Sequence, residues 1–333
     1  MPVRDRTHLA ITIDTEEDNW SNYESKPVVS NIGRLPELQK LFDRYRVKPT
    51  YLVSYPVAAD KQSVSILRRM AEDDRCEVGA HLHPWNTPPF EEERSVRNTM
   101  LFHLEKNLQY RKLESLHEKI FENFRMEPVV FRSGRWGFDG TVAGNIHRLG
   151  YQVDSSVSPY INWENYHGPD FSGWSPEPKK IQVDPKGNPD AYLLEVPATI
   201  GFLQSDFDFC NACLNTISNT GLKHLRLRGI LDRLNLINKV WLSPETDDGG
   251  KMIRLAKTFM KKNYPILNLF FHSPSLQSGL THFTKTREEA EELIRRIETF
   301  LEFKEFSNMK SVKLSESRKI VAESAPVRPV TAR

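Results

Sequence analysis

The chain is poor in cysteine, has no long apolar run and carries no excess of either charge. Three cysteines in 333 residues, Cys76, Cys210 and Cys213, do not make a disulfide framework. Cys210 and Cys213 form a CxxC, but without a second such pair they read as ordinary buried thiols. No stretch approaches the roughly 18 apolar residues that a membrane span needs. Lys and Arg total 46 against 44 Asp and Glu, so neither nucleic acid nor a membrane is the expected partner. The opening MPVRDRTHLAITID enters a strand directly and lacks the basic, apolar, small-residue layout of a secretory signal. These absences point to a cytoplasmic protein, and the length suits one α/β barrel.

Five stretches share one pattern, an apolar run of strand length ending on an ionisable residue. They are LAITI before Asp14, EVGA before His81, PVVF before Arg132, GYQV before Asp154 and LNLFF before His272. Such runs suggest buried strands, and a charge where each run surfaces suggests a site. Helical patterns at 34–45, 64–73, 99–125 and 139–149 separate the early runs, and others at 211–236, 250–262 and 286–304 follow. Further strands are read at TYLVS, LLEVP and KVWLS. Seven or eight β/α pieces in this order predict a complete or distorted (β/α) barrel over residues 1–306. An insertion at 158–190, rich in Pro and holding Trp163 and Trp174, breaks the rhythm and reads as a functional loop. Residues 307–333 turn polar and basic and are expected to be loose.

The ionisable residues carry the chemistry. Asp14 and Glu16 share one side if strand geometry persists, although an acidic surface turn would give the same letters. His81 and His83 use the same spacing of two, a two-point grip on a metal. Zinc suits two imidazoles and a carboxylate, which leave a fourth position for water. Arg132 at a strand end needs an acidic partner, for which Asp14 is the candidate. Gly134 and Gly137 suit a turn whose N–H groups face a developing oxyanion. His272 is placed to act as a general acid, with Asp154 as the partner fixing its tautomer; Asp154 reads equally as a turn cap before Ser155 and Ser156. Trp85, Trp136 and Trp163, with Arg135, are candidates for a sugar-binding wall, or for packing.

The ordered motifs TIDTEED, EVGAHLHPW, FRSGRWG, YQVDSS and FFHSPSL resemble the polysaccharide deacetylases with a NodB-homology domain, carbohydrate esterase family 4. The branch linked to surface polysaccharides is the most similar, and the match spans about residues 8–305. The resemblance implies a distorted (β/α) barrel that removes acetyl groups from sugars with a divalent metal. It implies Asp14 as base, Arg132 as its partner, His81 as the first metal histidine, Glu16 in place of a metal-binding aspartate, and Asp154 with His272 as proton donors. The family usually spaces its metal histidines by three or four residues; here Trp85 holds the later position, so His83 must take that role. SGRW also replaces the usual proline-rich turn. Relatives with a His…Trp arrangement imply an alternative, a metal-independent amide or ureide hydrolase, and a catalytically inactive glycan-binding domain is a third reading. The implied partner is an acetylated sugar or glycan, and no oligomeric state is implied.

Overall fold

The first strand sets the layering of the barrel. In β1 (His8–Thr15), Leu9, Ile11 and Ile13 pack in one large cluster with helix residues such as Leu35, Leu38 and Phe42. Ala10, by contrast, belongs to a smaller cluster made by several strands. Alternation thus gives β1 two buried faces, one toward the helices and one toward the barrel interior. Each fully buried Leu or Ile on the helix side contributes about 1.5–3 kcal/mol.

The computed structural model describes residues 7–184, 187, 188, 191–220 and 227–323. After β1 come α1 (Leu35–Arg44), β2 (Thr50–Val53), α2 (Tyr55–Ala59), α3 (Lys61–Glu72) and β3 (Glu77–Leu82). Next are α4 (Lys106–Phe124), β4 (Val130–Ser133), α5 (Gly140–Arg148) and β5 (Val153–Asp154). Capping fixes several helix starts: Asp60 accepts from the Ser63 N–H before α3, and Asp139 from the Val142 N–H before α5. In β3, a Cβ on Gly79 would lie 2.7 Å from Leu52 and 2.9 Å from the Val130 carbonyl, so only glycine lets β2 and β4 close on it.

The second half contributes β6 (Lys179–Gln182), β7 (Tyr192–Glu195), β8 (Ile200–Phe202), α6 (Phe207–Asn219), α7 (Leu227–Arg233) and β9 (Lys239–Trp241). It ends with α8 (Gly249–Lys261), β10 (Ile266–His272), α9 (Arg287–Phe306), β11 (Lys310–Ser311) and α10 (Ser317–Glu323). A Thr286/Glu289 capping box starts α9. The helix expected over 211–236 is two helices, and its residues 221–226 lie outside the described set.

Strands run parallel in the order β10-β1-β2-β3-β4-β5-β7, and β6 adds antiparallel to β7. Between β7 and β10 the ladder is interrupted. The gap is bridged by main-chain bonds from Thr199 N to Asn268 O (3.2 Å), Phe270 N to Leu242 O (3.1 Å) and Leu242 N to Thr199 O (2.8 Å). The result is a curled, distorted (β/α) barrel.

The barrel interior is stacked in layers. At the bottom, Ala10, Leu52, Val130, Val153, Leu194 and Ile266 cluster with Leu314 and Val321. The loose tail expected from residue 307 is therefore corrected for 310–323. β11 pairs with β1, and Leu314 and Val321 pack into the interior cluster; composition missed this because two apolar residues suffice for that contact. Residues 324–333 lie outside the described set, as do Met1–Arg6 and, within the insertion, Pro185 and Pro189. Above the apolar layer, Thr12, Asn268, Ser155 and Arg132 form a buried polar network. Asp14 and His272 sit higher still, paired in register at the carboxyl ends of β1 and β10.

Candidate active site

Strand ends converge on one face of the barrel. Arg132 and His81 are in register across β3 and β4, as Asp14 and His272 are across β1 and β10. Arg132 is fully buried, and its guanidinium is shared out with little waste. Nη1 donates to Asp14 Oδ1 (2.7 Å), Nη2 to Thr12 Oγ1 (2.7 Å) and Ser155 Oγ (2.9 Å), and Nε to the Ser155 carbonyl (2.8 Å). Burial opposes ionisation of Asp14, yet Arg132, then His81 and His272, outweigh it and hold the carboxyl below its usual value. Asp14 is thus an oriented carboxylate with Oδ1 engaged and Oδ2 directed at His272, 3.8 Å from Nε2.

Beside it stand Glu16, His81 and His83. His81 Nδ1 lies 3.1 Å from the Arg132 carbonyl, so it carries the proton there and leaves Nε2 as a lone pair. That Nε2 is 3.1 Å from His83 Nε2 and 3.4 Å from Glu16 Oε2, and His83 Nε2 is 2.7 Å from the same Glu16 oxygen. Donor atoms about 2.0–2.1 Å from a tetrahedral ion stand about 3.4 Å from one another, so the 3.1 and 3.4 Å spacings suit a small cation, while the 2.7 Å His83–Glu16 spacing would have to open. Burial pushes His81 down to about 4 and His83 well below the imidazole range, keeping both neutral as ligands must be. Burial, then Glu17 and Asp14, raises Glu16 well above its usual value, a cost that a cation would relieve. Buried Glu16 Oε1 has no hydrogen-bond partner, which adds a spare donor to the set. The residues fit a divalent metal.

The loop after β4 holds this group from above. A Cβ on Gly134 would lie 2.2 Å from His83 Nδ1, so glycine is required for the imidazole to fit. The next residues, Arg135 and Trp136, both adopt left-handed backbone (φ 53° and 60°), a conformation that non-glycine residues seldom take. This turn places Arg135 over the Trp85 ring (4.9 Å) and Trp136 beside Phe270 (ring centroids 5.8 Å) and the Arg132 guanidinium. Trp85 in turn packs on His83, with ring centroids 4.2 Å apart.

Two candidates are arranged differently from the sequence reading. His272 Nδ1 bonds Glu245 (2.9 Å to Oε2), which also accepts from the His272 N–H (3.2 Å to Oε1) and from Ser275 Oγ. Asp154 is not that partner: it accepts from Ser156 N (3.0 Å) and Oγ (2.8 Å) and stands in register with Glu195 across β5 and β7. Burial raises both carboxyls of that pair, and Asp154 further raises Glu195. Burial alone would lower His272, but Glu245 outweighs it and raises the imidazole above its usual value. Trp163 stands farther out, donating Nε1 to Ser158 Oγ (2.7 Å) and meeting Trp241 edge-on (6.4 Å). It extends an aromatic row of Trp136, Phe270 and Trp241.

Glu245 and Trp20 were missed in the sequence. Trp20 stacks flat on His272, with centroids 4.7 Å apart and planes 3° apart. Glu245 follows the strand read at KVWLS by two residues, and extending the strand-end rule past Ser243 and Pro244 would have found it. Trp20 gave no such signal, because it comes from a loop with no period.

The described residues contain no helix long and apolar enough to cross a membrane. Cys76, Cys210 and Cys213 are all free thiols.

No family model and no curated protein matches the chain. Solved structures do. A protein assigned to the polysaccharide deacetylases from Mycobacterium smegmatis superposes with a TM-score of 0.58 at 14% identity, covering 100% of this chain and 97% of its own. Another assigned to them, from Pseudomonas aeruginosa, reaches 0.51 at 12% identity, covering 98% and 95%. An allantoinase reaches 0.51 at 11% identity, covering 98% and 94%. The chain has the fold these proteins share.

Proposed function

We propose that the protein is a metal-assisted hydrolase that removes the acetyl group from an acetamido sugar or glycan. The observation carrying this reading is the placement of Asp14 Oδ2 3.8 Å from His272 Nε2, with Glu16, His81 and His83 grouped alongside. That juxtaposes a base, an acid and a donor set for a cation, and acetamide hydrolysis uses all three. Glu16, His81 and His83 would hold a divalent ion, zinc by donor type and spacing. When bound, such an ion polarises an acyl carbonyl and acidifies water.

The chain's own groups supply the remaining steps. Asp14, held ionised by Arg132, takes a proton from the attacking water through Oδ2. The water oxygen bonds to the acyl carbon, and a main-chain N–H of Arg135 or Trp136 would face the oxyanion. His272, its Nδ1–H held by Glu245, delivers the Nε2 proton to the amine nitrogen as the carbon–nitrogen bond breaks. Acetate and a free amine result. Trp85, Trp136 and Trp163 would carry the sugar ring, with Arg135 beside Trp85. Asp154 takes the role of a positioning group in this scheme: with Ser156 and Glu195 it braces the strand ends that carry Arg132 and Ser155.

Asp14→Asn tests the scheme. It should abolish acetate release from acetylated chitooligosaccharides, a loss of about a thousandfold or more for a positioned base. Activity at the wild-type level would remove Asp14 from the mechanism.

A second reading has one observation in its favour. Trp85 lies against His83 where a metal histidine would otherwise stand, and an allantoinase shares the fold. A metal-free hydrolase of amide or ureide bonds would use Asp14 and His272 without the cation. Stoichiometric metal in protein purified without chelator separates the two readings.

A further inference from the structure

Arg135 is a cation at the edge of the site that makes no ion pair among the described residues; Glu16 acts on it only from beyond ion-pair distance. Among the described residues no carboxylate oxygen lies within ion-pair distance of its guanidinium, although Arg132, three residues earlier, is paired with Asp14 at 2.7 Å. Its hydrogen bonds go to neutral partners: Nη1 to Thr99 Oγ1 (3.3 Å) and Nη2 to the Ser21 carbonyl (3.1 Å). Most of its N–H donors are therefore free for a ligand.

The side chain is nonetheless held in place. The backbone at Arg135 is left-handed (φ 53°), and the guanidinium carbon sits 4.9 Å over the Trp85 ring. Trp85 is itself seated on His83, a member of the candidate metal group. A half-buried guanidinium held over an aromatic ring, kept in a strained backbone and left without an ion pair, is costly for stability alone. The same arrangement is well suited to gripping an oxyanion through two parallel N–H groups. Lysine would not reproduce it, because it has neither the fork nor the stacking plane.

We infer that the substrate bears an oxyanion, a carboxylate or a phosphate, next to the group that is hydrolysed, and that Arg135 reads it. This deepens the deacetylase reading and rests on it. The substrate class narrows from acetamido sugars in general to acidic ones, either uronic or lactyl acids or sugar phosphates. Neutral acetamido sugars would meet the aromatic wall but leave the guanidinium unanswered.

The test is binding to metal-free protein, followed by intrinsic tryptophan fluorescence and by calorimetry. The probes are N-acetylglucosamine, N-acetylglucosamine 1-phosphate and N-acetylmuramic acid. Either or both acidic probes should bind at least tenfold more tightly than the neutral sugar, on the scale of a charge-assisted hydrogen bond. Which one does so distinguishes phosphate from carboxylate. In Arg135→Gln that ratio should fall to near one, and Arg135→Lys should recover only part of it; both variants are checked for an unchanged melting profile. Equal affinity for acidic and neutral probes, no binding of either acidic probe, or a preference that survives in Arg135→Gln overturns the inference. Acetate release, measured separately with metal restored, reports on the deacetylase reading, so the two can fail independently.

Discussion

Nε2 of His272 faces Oδ2 of Asp14 across 3.8 Å, on the oxygen that Arg132 leaves free. Each side chain is tied down on its far side, Asp14 by Arg132 and His272 by Glu245, so the near sides face each other over the candidate site. Both side chains are oriented by these bonds.

Their opposite shifts set a pH window. Asp14 is ionised above a value depressed below 3.8, and His272 keeps its proton up to a value raised above 6.5. The alkaline limb of kcat/KM should therefore lie above pH 6.5, and Glu245→Gln should move it down, since Glu245 is what raises His272. The same linkage acts on stability. His272 binds its proton more tightly when folded, so its contribution is complete below the unfolded value of about 6.5 and fades as pH rises through the folded one. Asp14 contributes above its unfolded value, and that contribution is lost as pH falls through the folded one. A pH–rate profile of the two proteins, with melting curves across the same range, checks both signs. An alkaline limb unmoved by Glu245→Gln would separate Glu245 from the acid.

Arg132 anchors the polar layer beneath the site. Arg132→Met should leave Asp14 buried and uncompensated and cost about 3–5 kcal/mol in denaturant unfolding. Removing both charges, in Arg132→Met with Asp14→Leu, should cost less than the sum of the single changes. Strict additivity would mean that the 2.7 Å contact carries no coupling.

Gly134 is predicted to be intolerant of a side chain for a local reason. The 2.2 Å approach of a Cβ to His83 Nδ1 forces the imidazole to move, while the strand beneath need not. Gly134→Ala should weaken zinc affinity by about tenfold to a hundredfold, the range seen when a ligand's supporting contacts are lost. Calorimetric titration reads this directly. An unchanged affinity would place His83 outside the donor set.

Fold and site differ in how much the sequence reveals. The parallel strands announce themselves because each is an apolar run buried on both faces, and their terminal charges point to the face that carries the candidate site. Asp14, Arg132, His81, His83 and His272 are legible for that reason. Asp154 follows the same rule yet is turned to Ser156 and Glu195, because strand-end position fixes the face and not the partner. Glu245 escapes the rule by two residues of loop, and Trp20 by belonging to a loop altogether. The 310–323 segment escapes for a different cause. Composition measures the average of a stretch, whereas Leu314 and Val321 bury as individuals against Ala10 and Ile266.

The donor set is tested by substitution. His81→Ala and His83→Ala should each abolish stoichiometric zinc, measured by elemental analysis, while leaving far-ultraviolet dichroism intact. Retention of one equivalent in both variants would send the ion elsewhere.

The most direct measurement is acetate release from acetylated chitooligosaccharides by metal-stripped protein, before and after one equivalent of zinc is restored. Metal-assisted deacetylation predicts a silent stripped protein that recovers turnover on addition. Equal turnover with and without the ion would contradict it.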